Sequence, residues 1–274
     1  MAALAPEILL QIGPVPITNT LLNTALVDVI IVSGVIAINK NLKKIPGIFQ
    51  NIVELVVDGF HELVTSIAGE KNTKKIFPFF ITFFLFILIA NWSGLIPGAE
   101  SLGLMPNKSQ HHASTQQNSH DTAEETQKEE VEHEIVSFNR NLTSDLNATL
   151  ALAIISLVAT HTLSIKALGI KEYLGRFFSL NPILLFVGIL EIISEFTKII
   201  SLSFRLFGNI FAGEVVLGTI SKLFAFIFPL PFISLEIIVG LVQALVFSML
   251  TMVFMSVLMT SHHQNEHTAK EVSH

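Results

Sequence analysis

The sequence predicts an all-α protein that crosses a membrane several times. The chain has 274 residues, of which 51% are hydrophobic and only 14% are charged, whereas soluble domains carry about 25% charged residues. Several apolar runs exceed the roughly 18 residues that mark a membrane-spanning helix. The chain contains no cysteine, which excludes disulfide staples, thiol catalysis and cysteine metal sites. With a net charge of −6 and no basic patch, the chain is not expected to bind nucleic acid.

Three ordinary transmembrane helices and one amphipathic surface helix are predicted within a single membrane domain. The three apolar runs are residues 17–38, 76–97 and 146–168. Residues 46–68 instead place polar side chains at three- to four-residue intervals and apolar ones on the other face, as a helix lying on the membrane surface does. Residues 98–141 are predicted to form an acidic loop, and residues 261–274 a polar tail.

The last two apolar segments are longer than a bilayer requires. Residues 182–221 and 231–260 would make helices of about 60 Å and about 45 Å at 1.5 Å per residue. The hydrocarbon core of a bilayer is only about 30 Å thick. These segments therefore predict a long, tilted C-terminal helical hairpin.

The distribution of basic residues predicts the orientation in the membrane, because Lys and Arg concentrate in cytoplasmic segments. With the N-terminus outside, three basic residues lie outside among many acids: Lys108, Lys128 and Arg140. Ten lie inside: Lys40, Lys43, Lys44, Lys71, Lys74, Lys75, Lys166, Lys171, Arg176 and Lys270. The N-terminus is therefore expected outside and the C-terminus in the cytoplasm.

The two long segments carry polar residues that recur on one helix face. In the first segment they step by three, four or seven positions: Glu191, Ser194 with Glu195, Lys198, Arg205 and Asn209. The second segment has a shorter stripe: Glu236, Gly240, Gln243 and Phe247. Charges in hydrocarbon cost several kcal/mol and usually mark function.

A structural interpretation of these charges stays open for Lys198, which could form an ion pair with Glu191 or Glu195. It fits Arg205 less well, because two helical turns separate Arg205 from Lys198 and nearby Asn209 is neutral. A guanidinium stays charged at any accessible pH. Arg205 is therefore expected to meet a partner on another chain or an aqueous cavity.

One segment resembles a known family. SLSFRLFGNIFAGEVVL, residues 201–217, is similar to the signature of subunit a of the bacterial-type F-type ATP synthase, a membrane protein of the Fo sector. Four further segments are also similar to that family: ITNTLL, FFLFILIANWSGLIPG, TSDLNATL and LVQALVFSMLTMVF. The resemblance covers the chain apart from the acidic residues 101–134 and the two tails.

The resemblance implies a stator subunit of the bacterial inner membrane. In this family, subunit a stands beside a rotating ring of c subunits and with the b subunits of the peripheral stalk. Two aqueous half-channels pass protons to and from the ring carboxyls, which couples ion flow to rotation and ATP synthesis. The resemblance implies no cofactor and no ATP site on this chain, since nucleotide chemistry belongs to other subunits.

The family's functional residues match positions of this sequence. Arg205 matches the essential arginine that favours the ionised ring carboxyl and blocks a leak between the half-channels. Gln243 matches the glutamine that faces this arginine across the hairpin. The other matches are Asn209, one turn after the arginine; Glu214 and Glu236, which line the outside half-channel; Asn91, Asp145 and Asn147, also on the outside; and Glu191 with Ser194, near the inside exit.

Other interpretations remain at this stage. A free-standing proton-coupled secondary transporter could use Arg205 with Glu191 and Glu195, although such transporters usually contain repeats and none is visible. A purely structural scaffold would leave the polar stripes unexplained.

His161 is expected to be an interior histidine satisfied by a neighbour, and Asp28 to face another subunit or the interior. No metal site is expected, since the histidines of the acidic loop are irregularly spaced: His111, His112, His120 and His133.

Overall fold

The protein is a bundle of long helices, which confirms the predicted all-α class. The computed structural model describes residues 8–12, 15–95, 103–104, 136–137, 141–177, 182–223 and 229–259. The helices in these ranges are α1 (Asn19–Asn41), α2 (Ile48–Ala68), α3 (Glu70–Ser93), α4 (Leu146–Leu168), α5 (Ile170–Phe177), α6 (Pro182–Leu223) and α7 (Pro229–Met259). In the described part of the chain, five helices are long and apolar enough to cross a membrane: α1, α3, α4, α6 and α7.

Two small antiparallel hairpins accompany the helices. Strand β1 (Ile8–Ile12) pairs with β2 (Val15–Thr18) directly before α1. Strand β3 (Gly103–Leu104) pairs with β4 (Val136–Ser137), so two short pieces of the predicted acidic loop lie side by side. The rest of that loop up to residue 140, and the polar tail, lie outside the described residues.

Two segments that lie between the predicted helices are also helical. Helix α3 begins at Glu70, before the apolar run of residues 76–97, so Lys71, Lys74 and Lys75 lie in its first turns. Gly69 allows this, because its φ of +74° turns the chain sharply between α2 and α3. Residues 170–177 form the short helix α5; eight residues are too few to show a clear helical period.

The bundle has two ends with different chemistry. At one end α1 begins, α3 finishes, and α4 and α7 begin; we call it the asparagine end, after Asn91 and Asn141, which are buried there. At the other end α3 begins, α4 finishes and α7 finishes; we call it the lysine end, after the lysines of α3, α4 and α5, which are Lys71, Lys74, Lys75, Lys166 and Lys171.

The core lies where α3, α4, α6 and α7 meet. Helix α3 packs along α7, and α4 packs against both α6 and α7. The central cluster contains Phe83, Ile87, Leu206 and Phe247. A second cluster towards the lysine end joins Val64 of α2 to the other helices. Helix α2 therefore packs one face against the bundle, while the apolar residues of its first half, such as Ile52 and Leu55, are exposed.

Candidate functional site

Arg205 lies near the middle of α6, on a face that the other described residues leave open. Its side chain is exposed, and within the described residues it makes no hydrogen bond or ion pair. Leu202 and Leu206 lie to one side of Arg205 around the helix and are buried, whereas Phe204 lies to the other side and is exposed. A permanent charge at this depth in a bilayer costs about 3 kcal/mol or more. The guanidinium therefore requires a partner or water that the described residues do not supply.

Asn209 and Gln243 join α6 to α7 one turn beyond Arg205. The Nδ2 atom of Asn209 donates to Oε1 of Gln243 at 3.0 Å. Gln243 is buried, and its Nε2 atom has no hydrogen-bond partner among the described residues. Gln243, the residue predicted to face Arg205, thus bonds to Asn209, which lies one helical turn beyond the arginine on α6.

Glu236 is buried against α6 and occupies the space beside a glycine. A Cβ atom at Gly213 would overlap its carboxylate oxygens, so the absence of a side chain there gives the carboxyl its place. Glu214, the next residue, is half-exposed. The two glutamates predicted as a pair therefore lie at the same level of the α6–α7 contact, beyond Asn209 towards the asparagine end.

Asn91 sits in a hydrogen-bonded cluster at the asparagine end. Its Nδ2 atom donates to the carbonyl of Gly240 at 3.1 Å, and the Thr143 hydroxyl lies 2.7 Å from its Oδ1 atom. The same hydroxyl is 2.8 Å from Oδ1 of Asn141. A Cβ atom at Gly240 would approach the Asn91 Cβ to 3.1 Å. The cluster thus depends on close approach between α3 and α7.

Asp145 is buried and caps α4. Its Oδ1 atom accepts from the backbone N–H of Asn147 at 3.0 Å, which satisfies a free donor of the first turn. The Thr20 hydroxyl lies 3.5 Å from Oδ2. The Asn147 side chain is exposed, and only its backbone joins this arrangement. The structure therefore places Asn147 next to the cluster rather than inside it.

A hydroxyl pair extends the polar region from α4 to α6. The hydroxyl oxygens of Thr149 (Oγ1) and Ser203 (Oγ) lie 3.2 Å apart, and both residues are buried. Ser203 is two residues before Arg205 on α6. Sequence reasoning missed this pair and also missed Thr143, because a threonine or serine in an apolar helix usually bonds its own backbone and gives no signal of a distant partner.

The lysine end holds a chain of titratable groups. The Nζ atom of Lys198 donates to Oε1 of Glu195 at 2.7 Å, so one predicted ion pair is present. The Nε2 atom of His161 lies 3.7 Å from Oε2 of Glu195. The Oη atom of Tyr173, on α5, lies 2.7 Å from His161 Nδ1. His161 has the neighbours expected of an interior histidine, whereas Tyr173 was not foreseen.

The two residues predicted near the inside exit occupy different surroundings. Ser194 is exposed and Glu191 is half-exposed, one turn before Glu195. Glu191 acts electrostatically on His161, which places its charge near the titratable chain. The structure thus places Glu191 near the titratable side chains Glu195 and His161, and it leaves Ser194 on the open face of α6. No group of His, Cys, Asp or Glu suited to a metal ion occurs in the described part of the chain.

Comparison with known proteins identifies the family. The family model described as ATP synthase A chain matches residues 21–256, which is most of the chain. The chain belongs to the ATP synthase subunit a family. It is 28% identical to ATP synthase subunit a of Moorella thermoacetica over 262 residues, which cover 96% of this chain and 100% of that relative. It is 33% identical to ATP synthase subunit a of Geotalea daltonii over 218 residues, 78% of this chain and 76% of that one.

Membership in the subunit a family confirms the resemblance found in the sequence and decides against a free-standing transporter. The protein is a multi-pass membrane subunit of the bacterial inner membrane. It has a stator role in the Fo sector, and it serves proton transport and ATP synthesis.

Proposed function

We propose that this chain forms two separate aqueous half-channels and exchanges protons with the carboxyls of a c-subunit ring at Arg205. The observation that carries this proposal is the exposed guanidinium in the middle of α6, which has no partner in the part of the chain that the structure describes. A ring carboxyl must be neutral to face lipid, and a nearby positive charge favours its ionised form. Arg205 therefore drives release of the proton as each carboxyl arrives.

Arg205 also separates the two half-channels. A fixed cation repels a proton that would pass straight from one channel to the other. Protons must then travel with the ring through nearly a full turn. A membrane potential of 100 mV supplies about 2.3 kcal/mol for each charge that crosses, and the barrier at Arg205 directs this energy into rotation.

Polar groups on the asparagine side of Arg205 line the proposed outside half-channel. Glu236 is buried beside Gly213, with Glu214 next to it. Asn91 and Asp145 lie further along the same side and are buried and hydrogen-bonded. Glu214 and Glu236 serve as the proton relay in this channel. A Glu214→Gln, Glu236→Gln double variant with normal proton flux would refute that role.

The charge distribution supports an orientation with the N-terminus outside. The lysines of α3, α4 and α5 belong to one end of the bundle, because Ile76 and Leu163 share a single core cluster there. Basic residues mark the cytoplasmic side. The lysine end is therefore the cytoplasmic end, the asparagine end faces outside, and the inside half-channel reaches Arg205 from the lysine end past Glu191 and Ser194.

The peripheral-stalk b subunits are assigned to the exposed part of α1. Its buried residues lie only in its first half: Asn19, Thr20, Asn23 and Val27. Beyond them the apolar side chains are exposed, and so is Asp28. An exposed carboxyl inside a membrane span favours a protein neighbour over lipid.

Cysteine cross-linking tests the rotor contact directly, because the chain has no cysteine of its own. Ser201 and Gly208 lie on the exposed face beside Arg205, and Gly208 has open space where a side chain would point. Ser201→Cys and Gly208→Cys should each form a disulfide with a cysteine placed beside the ring carboxyl. Val32→Cys on α1, equally exposed, is the control. Cross-links from Val32→Cys but not from the α6 positions would contradict the proposal.

A further inference from the structure

The series of titratable side chains at the lysine end connects the surface helix α5 to the interior of the bundle. Tyr173 is half-buried on α5, and its neighbours Glu172 and Leu174 are exposed. Its hydroxyl meets His161 Nδ1, and the other imidazole nitrogen faces Glu195. Tyr173, His161 and Glu195 can each carry a proton, and they therefore lie in series from the end of the bundle to α6.

Glu195 is not satisfied in the way that a purely structural ion pair would be. It is only 7% exposed, and Lys198 occupies Oε1. Its Oε2 atom has no hydrogen-bond partner among the described residues. A buried ion pair stabilises only when its remaining lone pairs are also satisfied. This Oε2 atom faces His161 Nε2 at 3.7 Å without a hydrogen bond, which suits a carboxylate that exchanges a proton with the imidazole.

A small cavity continues the series towards Arg205. It has a volume of about 10 Å³, close to the space of one water molecule. The hydroxyl residues Ser156 and Thr160 line it, together with Lys198 and Leu202. Leu202 is three residues before Arg205 on α6. The cavity thus has room for one water beside Lys198, the partner of Glu195, on the stretch of α6 that leads towards the arginine.

We propose that Glu195 and His161 carry the proton through the inside half-channel, from the region of Arg205 to the surface at α5. This inference rests on the proposed function and adds two residues to it. A proton released by a ring carboxyl passes through the cavity water to the Glu195 carboxylate. It moves on to His161 Nε2, the imidazole gives up its Nδ1 proton to Tyr173, and the tyrosine hydroxyl releases its own proton to the solvent.

The geometry sets one requirement for this transfer. The 3.7 Å between His161 Nε2 and Glu195 Oε2 exceeds hydrogen-bond length, so the two groups must approach or share a water. Charged and titratable groups surround the imidazole on two helices: Glu191, Glu195 and Lys198 on α6 and Tyr173 on α5. From α7, the Phe254 ring lies 4.7 Å from the Lys198 ammonium, on the side of Lys198 that faces α7.

The first test uses the assembled complex in liposomes and measures ATP-driven proton pumping. We expect Glu195→Gln to lower pumping by about tenfold or more, a typical loss when a proton-transfer group is removed. Glu195→Asp keeps the carboxyl and should restore most of the rate. Thr197→Val is the control, because Thr197 is exposed on the same helix and bonds only its own helix backbone. Equal pumping by Glu195→Gln and Thr197→Val would overturn the inference.

A second test separates proton conduction from rotation and from stability. In an Arg205→Ala background, the proposed function predicts a passive proton leak between the half-channels. Glu195→Gln or His161→Gln, added to this variant, should close that leak. If the leak persists unchanged, Glu195 and His161 are not on the path, although the half-channels exist. If Arg205→Ala pumps normally, the proposed function itself fails, so the two failures are distinguishable.

Discussion

The two ends of helix α4 use different chemistry for buried polar groups. At the asparagine end, Asp145 caps the helix and accepts bonds from Asn147 and Thr20, and the surrounding groups are neutral amides and hydroxyls. At the lysine end, His161 faces the buried Glu195, whose Oε2 atom has no hydrogen-bond partner among the described residues. The first turn of α4 is held in place by hydrogen bonds, whereas the other end of the helix holds groups that can change their protonation.

This difference separates structure from proton transfer within one helix. Neutral buried groups cost little once they are hydrogen-bonded, so a cluster such as Asn91 with Thr143 fixes where helices meet. A buried carboxylate that is incompletely paired costs folding free energy, so a protein retains it where it has a function. In the proposed function, the inside half-channel therefore depends on a few titratable side chains, while the asparagine end holds a hydrogen-bonded polar cluster beyond Glu214 and Glu236.

The largest expected contrast compares one carboxyl from each end. Glu195→Gln removes a proton carrier and should lower ATP-driven pumping about tenfold or more. Asp145→Asn keeps an oxygen that can cap α4, so pumping should fall by less than about threefold. Both rates are measured in reconstituted complexes with matched subunit content. A larger loss for Asp145→Asn would reverse the comparison.

A smaller contrast concerns the close packing of the asparagine end. A Cβ atom at Gly94 would lie 2.9 Å from the Cβ of Asn141, so Gly94→Ala should lower the free energy of unfolding by about 1–3 kcal/mol, as overpacking does. Gly59 on α2 has open space instead, and Gly59→Ala should be neutral or stabilising by up to about 1 kcal/mol. Thermal denaturation of the purified chain in detergent checks both; equal effects would mean that this end can rearrange.

The smallest contrast tests a single hydroxyl. Thr143→Val leaves the buried Asn91 Oδ1 atom without the hydroxyl that now reaches it, which should cost about 1–2 kcal/mol of stability. Thr162 is exposed and bonds only the Val158 carbonyl of its own helix, so Thr162→Val should change stability by less than about 0.5 kcal/mol. A denaturation midpoint for Thr143→Val that equals that of Thr162→Val would remove the structural role of the asparagine cluster.

The sequence predicted best those features that repeat along one helix. The positions Glu236, Gly240, Gln243 and Phe247 were expected on one face of α7, and all four are buried. The similar stripe on α6 divides into two environments: Glu195 is buried against α4, whereas Arg205 and Asn209 are exposed. A helical period shows which residues share a face, but it does not show what covers that face.

Contacts between distant segments could not be predicted in the same way. Thr143 and Asn91 are 52 residues apart, and the acidic loop between them carries no periodic signal. Tyr173 reaches His161 only because the chain reverses at Gly169 and α5 folds back against α4 and α6. The hydrogen-bond partner of Gln243 also depends on packing. Arg205 and Asn209 are one helical turn apart on α6, and the sequence does not show that Asn209 is the residue that bonds to Gln243.

The most direct test of the stator role is the replacement of Arg205 by Ala in the assembled complex. The complex is reconstituted in liposomes, and ATP-driven proton pumping is measured together with passive proton leak. With Arg205 as the barrier between two half-channels, pumping is lost, leak rises, and the complex still co-purifies with its rotor ring. Normal pumping without added leak would mean that the exposed arginine of α6 takes no part in proton translocation, and the stator role proposed for it would be contradicted.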